Sequence, residues 1–217
     1  MDRLYLELLN YYHLSEDEFL KMSCPLEEIH LIEPTSIKGM NRVKSRIFES
    51  IKNNEKIIIY GDYDCDGISA TSIMYRTFQI LNYHVSYYIP SRYLDGYGLN
   101  VQNVEKIALA GYKLIICVDN GNSQHEAIHR AKELGIDVIV IDHHEVPEER
   151  TEAYEIIHPT VSEISEIIGS GGFMALYVSA ALLGSYDDYL VTIAGLSVIS
   201  DMMELKGQNR DLVRLAI

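Results

Sequence analysis

Three things are scarce in this 217-residue sequence: cysteine, long apolar runs and positive charge. Cys24, Cys65 and Cys117 are the only thiols; they are odd in number and form no C-x-x-C pair. A disulfide framework and a structural zinc site are therefore not expected, and a reducing cytoplasm is the default compartment. Cys65 and Cys117 read as small buried packing residues. No stretch approaches the ~20 apolar residues that a membrane helix needs. The start, Met1-Asp2-Arg3-Leu4-Tyr5, carries both signs of charge and no cleavage signature, so neither a membrane span nor a secretory leader is expected. Lys and Arg number 18 against 32 Asp and Glu, a net charge of −14. That balance argues against a broad basic surface for gripping a long polyanion. Any such partner must be held at a local site, and carboxylates clustered around cations would explain part of the acidic excess. Plain solubility charge explains the rest. Internal repeats and low-complexity segments are also missing.

What is present suffices for one sizeable core: 47% of residues are hydrophobic and 23% charged. Residues 1–35 read as a helical extension, with an apolar patch at Leu4, Leu6, Leu8, Leu9 and Tyr12. Ser15-Glu16-Asp17-Glu18 has the form of a capping box. Lys38 to Asn53 carries Met40, Val43, Ile47 and Ile51 at helical spacing. Short, mostly apolar runs follow, as strands buried on both faces of a parallel sheet should look. They are Ile57–Tyr60, Val85–Ile89, Leu114–Val118 and Val138–Ile141, with Glu155–His158 a weaker fifth. Helical stretches alternate with them over Ser69–Leu81, Val101–Ala110 and Ser123–Leu134. This pattern predicts an α/β, doubly wound, three-layer domain with a mostly parallel sheet of about five strands, ordered 2-1-3-4-5. Helices over Phe173–Leu183, Asp187–Met203 and from Asn209 onward complete it. The sequence stops inside the last helix, so a longer protein is expected.

Acids fall where three of the four strong strands end: Asp62, Asp64 and Asp66 after the first, Asp119 after the third, and Asp142-His143-His144 after the fourth. All C-terminal strand ends of a parallel sheet lie on one edge, where ligands bind. So many carboxylates cannot stay ionised at short range without compensation, and divalent cations provide it. Oxygen ligands with one or two imidazoles suit Mn²⁺ or Mg²⁺. If the Asp62-x-Asp64-x-Asp66 segment is extended, its three side chains point one way, and Gly67 then frees amides near a helix start for phosphate. A bridging carboxylate such as Asp119 would hold two metals ~3.5–4 Å apart. Simpler readings exist for each piece alone: a strand-end Asp is commonly a helix N-cap, Asp119-Asn120-Gly121 a turn, His143-His144 a surface pair. A receiver-like acidic pocket is the nearest rival, but no strand-end Lys supports it.

With those residues in view, the sequence resembles the DHH phosphoesterase superfamily, and within it the single-strand-specific exonucleases. The matching stretches are Tyr60 to Gly67, Pro90-Ser91-Arg92 with Gly96-Tyr97-Gly98-Leu99, Val118 to Gly121, Ile141 to His144, and Ile199 to Leu205 followed by Asn209-Arg210. The resemblance implies a two-metal phosphodiester hydrolase, a 5′→3′ exonuclease on single-stranded DNA with a place in DNA repair. It implies Asp64 and Asp119 at one metal, and Asp66, Asp119, His143 and Asp201 at the other. Asp62 and His144 would stand behind the ligands or face substrate. Arg92 would clamp phosphate, with Tyr97 and Gly98 in the same motif. Ser170, Gly171 and Gly172 would either approach the nucleic-acid backbone or permit close helix packing. Tyr60 departs from the family, where a metal-binding His is common, and puts more weight on Asp62. By the same resemblance residues 36–205 are the DHH domain, and residues 206–217 begin a connecting helix to a substrate-binding domain absent from this sequence. Phosphodiesterases of short RNA or cyclic dinucleotides, and a catalytically weak interaction module, remain alternatives.

Overall fold

In a computed structural model, residues 3–93, 96–164 and 169–217 are described. Five strands form one wholly parallel sheet in the order β2-β1-β3-β4-β5: β1 (Lys56–Tyr60), β2 (Ser86–Tyr88), β3 (Tyr112–Val118), β4 (Asp137–Ile141) and β5 (Glu155–Ile157). The expected order is therefore observed. Side chains alternate between two cores, as the two-residue period of a strand requires. Ile57, Ile59, Leu114, Ile116, Val118, Ile139 and Ile141 enter the larger core, whereas Ile58, Tyr60, Ile115, Cys117, Val138 and Val140 enter the smaller. Each buried aliphatic side chain contributes about 1.5–3 kcal/mol.

Helices α5 (Val101–Leu109) and α6 (His125–Glu133) cover the smaller core. The other face carries α3 (Met40–Lys52), α4 (Cys65–Ile80) and α7 (Gly171–Leu183). Every residue of α7 from Gly171 to Leu182 is buried. The reason is position: α7 lies between α3, α4 and the sheet on one side and α8 (Asp188–Ser200) on the other. That surround explains why its sequence shows no polar face. With α9 (Gly207–Ala216) packed on α8, the expected C-terminal helices make this side of the three-layer domain two helices deep. Arg46 on α3 is buried and ties the helix to the starts of two strands, bonding Glu55 at 2.8 Å and Asp137 at 2.6 Å.

The N-terminal extension holds α1 (Arg3–Tyr12) and α2 (Glu16–Met22); Met1 and Asp2, the first residues of the expected span, lie outside the described residues. Ser15 and Glu18 form the expected capping box on α2. The extension docks on α9 through its backbone: Arg210 and Arg214 donate to the Met22 carbonyl at 3.3 and 3.2 Å, and Gln208 accepts from the Ile32 amide at 3.0 Å. Two expectations need correction. Cys65 is exposed, because it opens α4 on the solvent side, while Cys117 is buried as expected. The helix after β1 begins at Cys65, not near Ser69. No helix among the described residues is long and apolar enough to cross a membrane.

Candidate metal centre

The early start of α4 changes the geometry of the first acidic segment. Asp64 is the N-cap of α4 and accepts the Gly67 amide at 2.9 Å, and Asp66 lies in the first turn. The three acids are thus not alternate side chains of an extended segment. Helix geometry turns Asp66 inward, to 2% exposure, and away from Asp62 and Asp64. Gly67 permits this path, since a Cβ there would fall 2.6 Å from that of Asp62. Its amide is taken by Asp64, so it is not the free phosphate donor expected from the sequence.

Asp66 reaches across the helical layer. The amides of Gly171 and Gly172, at the start of α7, donate to its two oxygens at 2.7 and 2.8 Å, and Ser197 of α8 donates to the same carboxylate. Burial would raise the pKa of Asp66, but hydrogen bonds from His143, Ser197 and Gly172 hold it below the usual carboxylate range. Asp119 follows β3 in the left-handed region, at φ +60°, which is uncommon for a non-glycine residue. Its amide bonds the Ile141 carbonyl at 2.9 Å, while Asn120 spans the Tyr60 and Val118 carbonyls at 3.1 and 2.9 Å. The ends of β1, β3 and β4 are thereby locked together around a buried carboxylate.

His143 stands in the middle. Its Nε2 is 3.3 Å from Asp119 Oδ1, 3.4 Å from Asp66 Oδ2 and 3.6 Å from Asp201 Oδ2. Asp201 caps the C-terminus of α8 and does not sit within the helix as expected, because the helix ends at Ser200. Burial would lower His143, yet hydrogen bonds with Asp119 and Asp66 push it up to about 10. Burial pushes Asp119 up to about 8, and it raises Asp201 and Asp62 as well. The candidate ligand atoms fall into overlapping trios, each within 4.8 Å: Asp66, His143 and Asp201; Asp62, Asp64 and Asp119; and Asp119, His143 and His144.

The family profile described as "DHH family, N-terminal domain" matches residues 56–211, which include all of these acids and imidazoles. The chain belongs to the DHH family. Its likeness within the family is to RecJ. It is 40% identical to the single-stranded-DNA-specific exonuclease RecJ of Bacillus subtilis (strain 168) over 189 residues, 85% of this chain and 24% of that protein. With RecJ of Escherichia coli (strain K12) it shares 30% identity over 190 residues, 82% of this chain and 32% of that protein. Among solved structures, an exonuclease RecJ bound to manganese has a TM-score of 0.77 at 29% identity, covering 83% of this chain and 47% of that one. RecJ from Thermus thermophilus in complex with Mn²⁺ has a TM-score of 0.78 at 25% identity, covering 96% of this chain and 30% of that one. The chain thus spans about a quarter to a third of the length of the two curated relatives, from B. subtilis and E. coli.

The donor set of this DHH domain fits a hard divalent cation. Oδ1 of Asp62 is buried without a hydrogen bond among the described residues, and Oδ1 of Asp119, also buried, faces His143 Nε2 at 3.3 Å. Buried, unpaired carboxylate oxygens are costly, and a cation coordinated by oxygen and imidazole removes that cost. Tyr60, at the position where the family often has His, points the other way: its hydroxyl donates to the Gly98 carbonyl at 3.2 Å and accepts from Asn103 at 3.0 Å. Asp62 is the nearby acid grouped with Asp64 and Asp119 as a candidate ligand set.

The remaining expected residues of the DHH domain divide by location. His144 is half-exposed; its Nδ1 bonds Asp142 at 2.8 Å, and that bond raises its pKa. Tyr97 donates to the Asp119 carbonyl at 3.3 Å and lies 3.3 Å from His144 Nδ1, so it joins the site's rim; burial pushes its hydroxyl upward. Gly98 is buried at φ +72°, its missing Cβ leaving room for Gln124. Arg92 is exposed, with its guanidinium over the Tyr63 ring, 5.6 Å from the centroid. Leu94 and Asp95, inside the same motif, lie outside the described residues. Ser170, Gly171 and Gly172 are buried. Ser170 caps α7, and the two glycine amides donate to Asp66, an arrangement that matches the close-packing reading of this segment. Sequence reasoning assigned no role to Ser197, Asn120 or Asp142. Ser197 had a signal, a polar residue four before Asp201 in an apolar helix. Asp142 organises its loop by accepting the His143, His144 and Asn122 amides at 2.8, 3.2 and 3.2 Å.

Proposed function

We propose that this DHH domain is the hydrolytic part of a RecJ-like nuclease that degrades single-stranded DNA from the 5′ end with Mn²⁺ or Mg²⁺. The observation that carries the reading is His143 Nε2 within 3.3–3.6 Å of three carboxylates from α4, β3 and the end of α8. Asp62, Asp64 and Asp119 would hold one cation, and Asp66, His143, Asp201 and Asp119 the other. When bound, the cations supply Lewis-acid polarisation of the scissile phosphate and a water acidic enough to ionise near pH ~7.

The protein's own groups do the rest. His144, with Nδ1–H donated to Asp142 and its pKa raised by that bond, presents Nε2–H toward a phosphate oxygen in its imidazolium form. Tyr97 keeps its proton and defines one wall of the cleft. Arg92, backed by the Tyr63 ring, neutralises a backbone phosphate by charge-assisted hydrogen bonds. Asp66 stays ionised through its amide and hydroxyl donors, so it competes for a cation without first losing a proton. Further segments of a longer protein would supply the extended grip on the strand.

The test uses the full 217-residue chain with Mn²⁺ on 5′-phosphorylated single-stranded DNA, dinucleotides and cyclic dinucleotides. Stepwise shortening of the strand from the 5′ end is expected. Cleavage confined to dinucleotides or cyclic dinucleotides would replace the exonuclease reading with the short-substrate one. Metal binding without cleavage of any of the three would leave only an interaction module.

A further inference from the structure

The imidazole of His158 has no place in the chemistry above. It lies just beyond β5, 3% exposed, and both of its ring nitrogens are engaged. Nδ1 accepts the Thr160 amide at 3.1 Å, which leaves the proton on Nε2, and Nε2 donates to the carbonyl of His144 at 2.8 Å. The ring's own backbone is pinned too: the His158 amide donates to Ser162 Oγ at 3.2 Å, and the Ser162 amide donates to the His158 carbonyl at 2.8 Å. On the opposite side of the loop, Asp142 gathers the His143 and His144 amides. Asn122 also reaches the His144 carbonyl, at the longer distance of 3.4 Å. The backbone that bears His143 and His144 is therefore held from within by a carboxylate and from behind by an imidazole.

We infer that His158 is a positioning residue for the metal centre, fixing the loop that aims His143 at Asp66, Asp119 and Asp201. The inference rests on the metal-binding part of the function proposed above. Its physical basis is the sensitivity of ligation to orientation: a ligand displaced by a fraction of an ångström loses coordination strength, and outer partners of metal ligands are typically worth about 10–100-fold in affinity. It also gives β5 a purpose. This edge strand has three residues, Glu155–Ile157, and it carries a side chain from the rim of the sheet to the back of the site.

His158→Leu removes the donor and keeps bulk; His158→Gln keeps an N–H that reaches where Nε2 stood. Mn²⁺ affinity of the full chain is measured by titration calorimetry, and melting is followed in EDTA. His158→Leu is expected to weaken Mn²⁺ binding by about 10–100-fold, and His158→Gln to recover most of that loss. In ¹H–¹⁵N imidazole spectra, His158 is expected as the Nε2–H tautomer, with His143 ring signals displaced in the Leu variant and restored in the Gln variant. Wild-type Mn²⁺ affinity in His158→Leu would overturn the inference. So would equal loss in both variants in step with a lowered melting point in EDTA, which marks a purely structural residue. A wild-type chain that binds Mn²⁺ but cuts nothing removes the nuclease reading and leaves this one standing; a wild-type chain that binds no Mn²⁺ removes both.

Discussion

Asp119 combines two unfavourable features, a left-handed backbone at φ +60° and a carboxylate at 1% exposure, and its Oδ1 faces the His143 imidazole at 3.3 Å. Backbone strain of this kind costs about 1–3 kcal/mol and tends to persist where function depends on it. Asp119→Asn keeps the shape and the turn while removing the charge. Isothermal titration of that variant is expected to show Mn²⁺ affinity lost at both positions by more than ~100-fold, beyond what an outer partner costs. Two ions bound with wild-type affinity would refute the bridging role. The pH dependence follows from the same residues. The folded pKa of His143, about 10, exceeds its unfolded value, so its stabilisation of the metal-free fold is complete below about 6.5 and is lost as pH rises toward 10. Asp119, raised to about 8, adds a penalty that grows from about pH 4 to 8. The metal-free chain should therefore lose melting temperature from neutral to alkaline pH. Mn²⁺ binding must expel these protons, so affinity and metal-induced stabilisation should climb over the same interval. Titrations in buffers of different ionisation enthalpy would reveal the released protons.

At the scale of elements, the site is assembled from helix starts and strand ends that restrain one another. The N-termini of α4 and α7 are both satisfied by acids of the site, Asp64 and Asp66. This tightness makes Gly171 intolerant: a Cβ there would stand 2.6 Å from Asp119 Oδ1. Gly171→Ala is expected to destabilise the chain by about 1–3 kcal/mol and to impair Mn²⁺ binding, read by denaturant melts and calorimetry. Strands β1, β3 and β4 were legible in the sequence because strands buried on both faces read as unbroken apolar runs, the edge strands β2 and β5 read more weakly through Ser86 and Glu155, and the convergence of the acidic ends follows from parallel topology. The start of α4 was not. Asp64-Cys65-Asp66-Gly67 has weak helix propensity, and tertiary contacts decide it: the close approach of Gly67 to Asp62 and the pull of α7 on Asp66. The role of Gly171 and Gly172 was illegible for a related reason, since their partner lies 105 and 106 residues away in the chain. No local pattern distinguishes a glycine kept clear for a substrate from one kept clear for a carboxylate.

For the whole molecule, the net charge of −14 constrains how the proposed DNA substrate would be held. Long-range repulsion would oppose a polyanionic substrate, so its binding would rest on a few contacts near the cations. Arg92→Ala is expected to raise KM for single-stranded DNA and to reduce the slope of log affinity against log salt by about 0.7, the share of one phosphate contact on a single strand. Mn²⁺ affinity should not change, and an unaltered slope would remove Arg92 from the phosphate path.

The ligand trios draw on segments from Asp62, just past the first strand, to Asp201, at the end of α8. A captured ion would act as a rivet through the fold, joining stretches that separate widely once the chain opens. Its effect should then reach far beyond the cleft: amide hydrogen exchange in β1, β3 and α8 would slow together, and melting would sharpen into a single cooperative step. Chemistry and fold endurance would be set by the same handful of carboxylates.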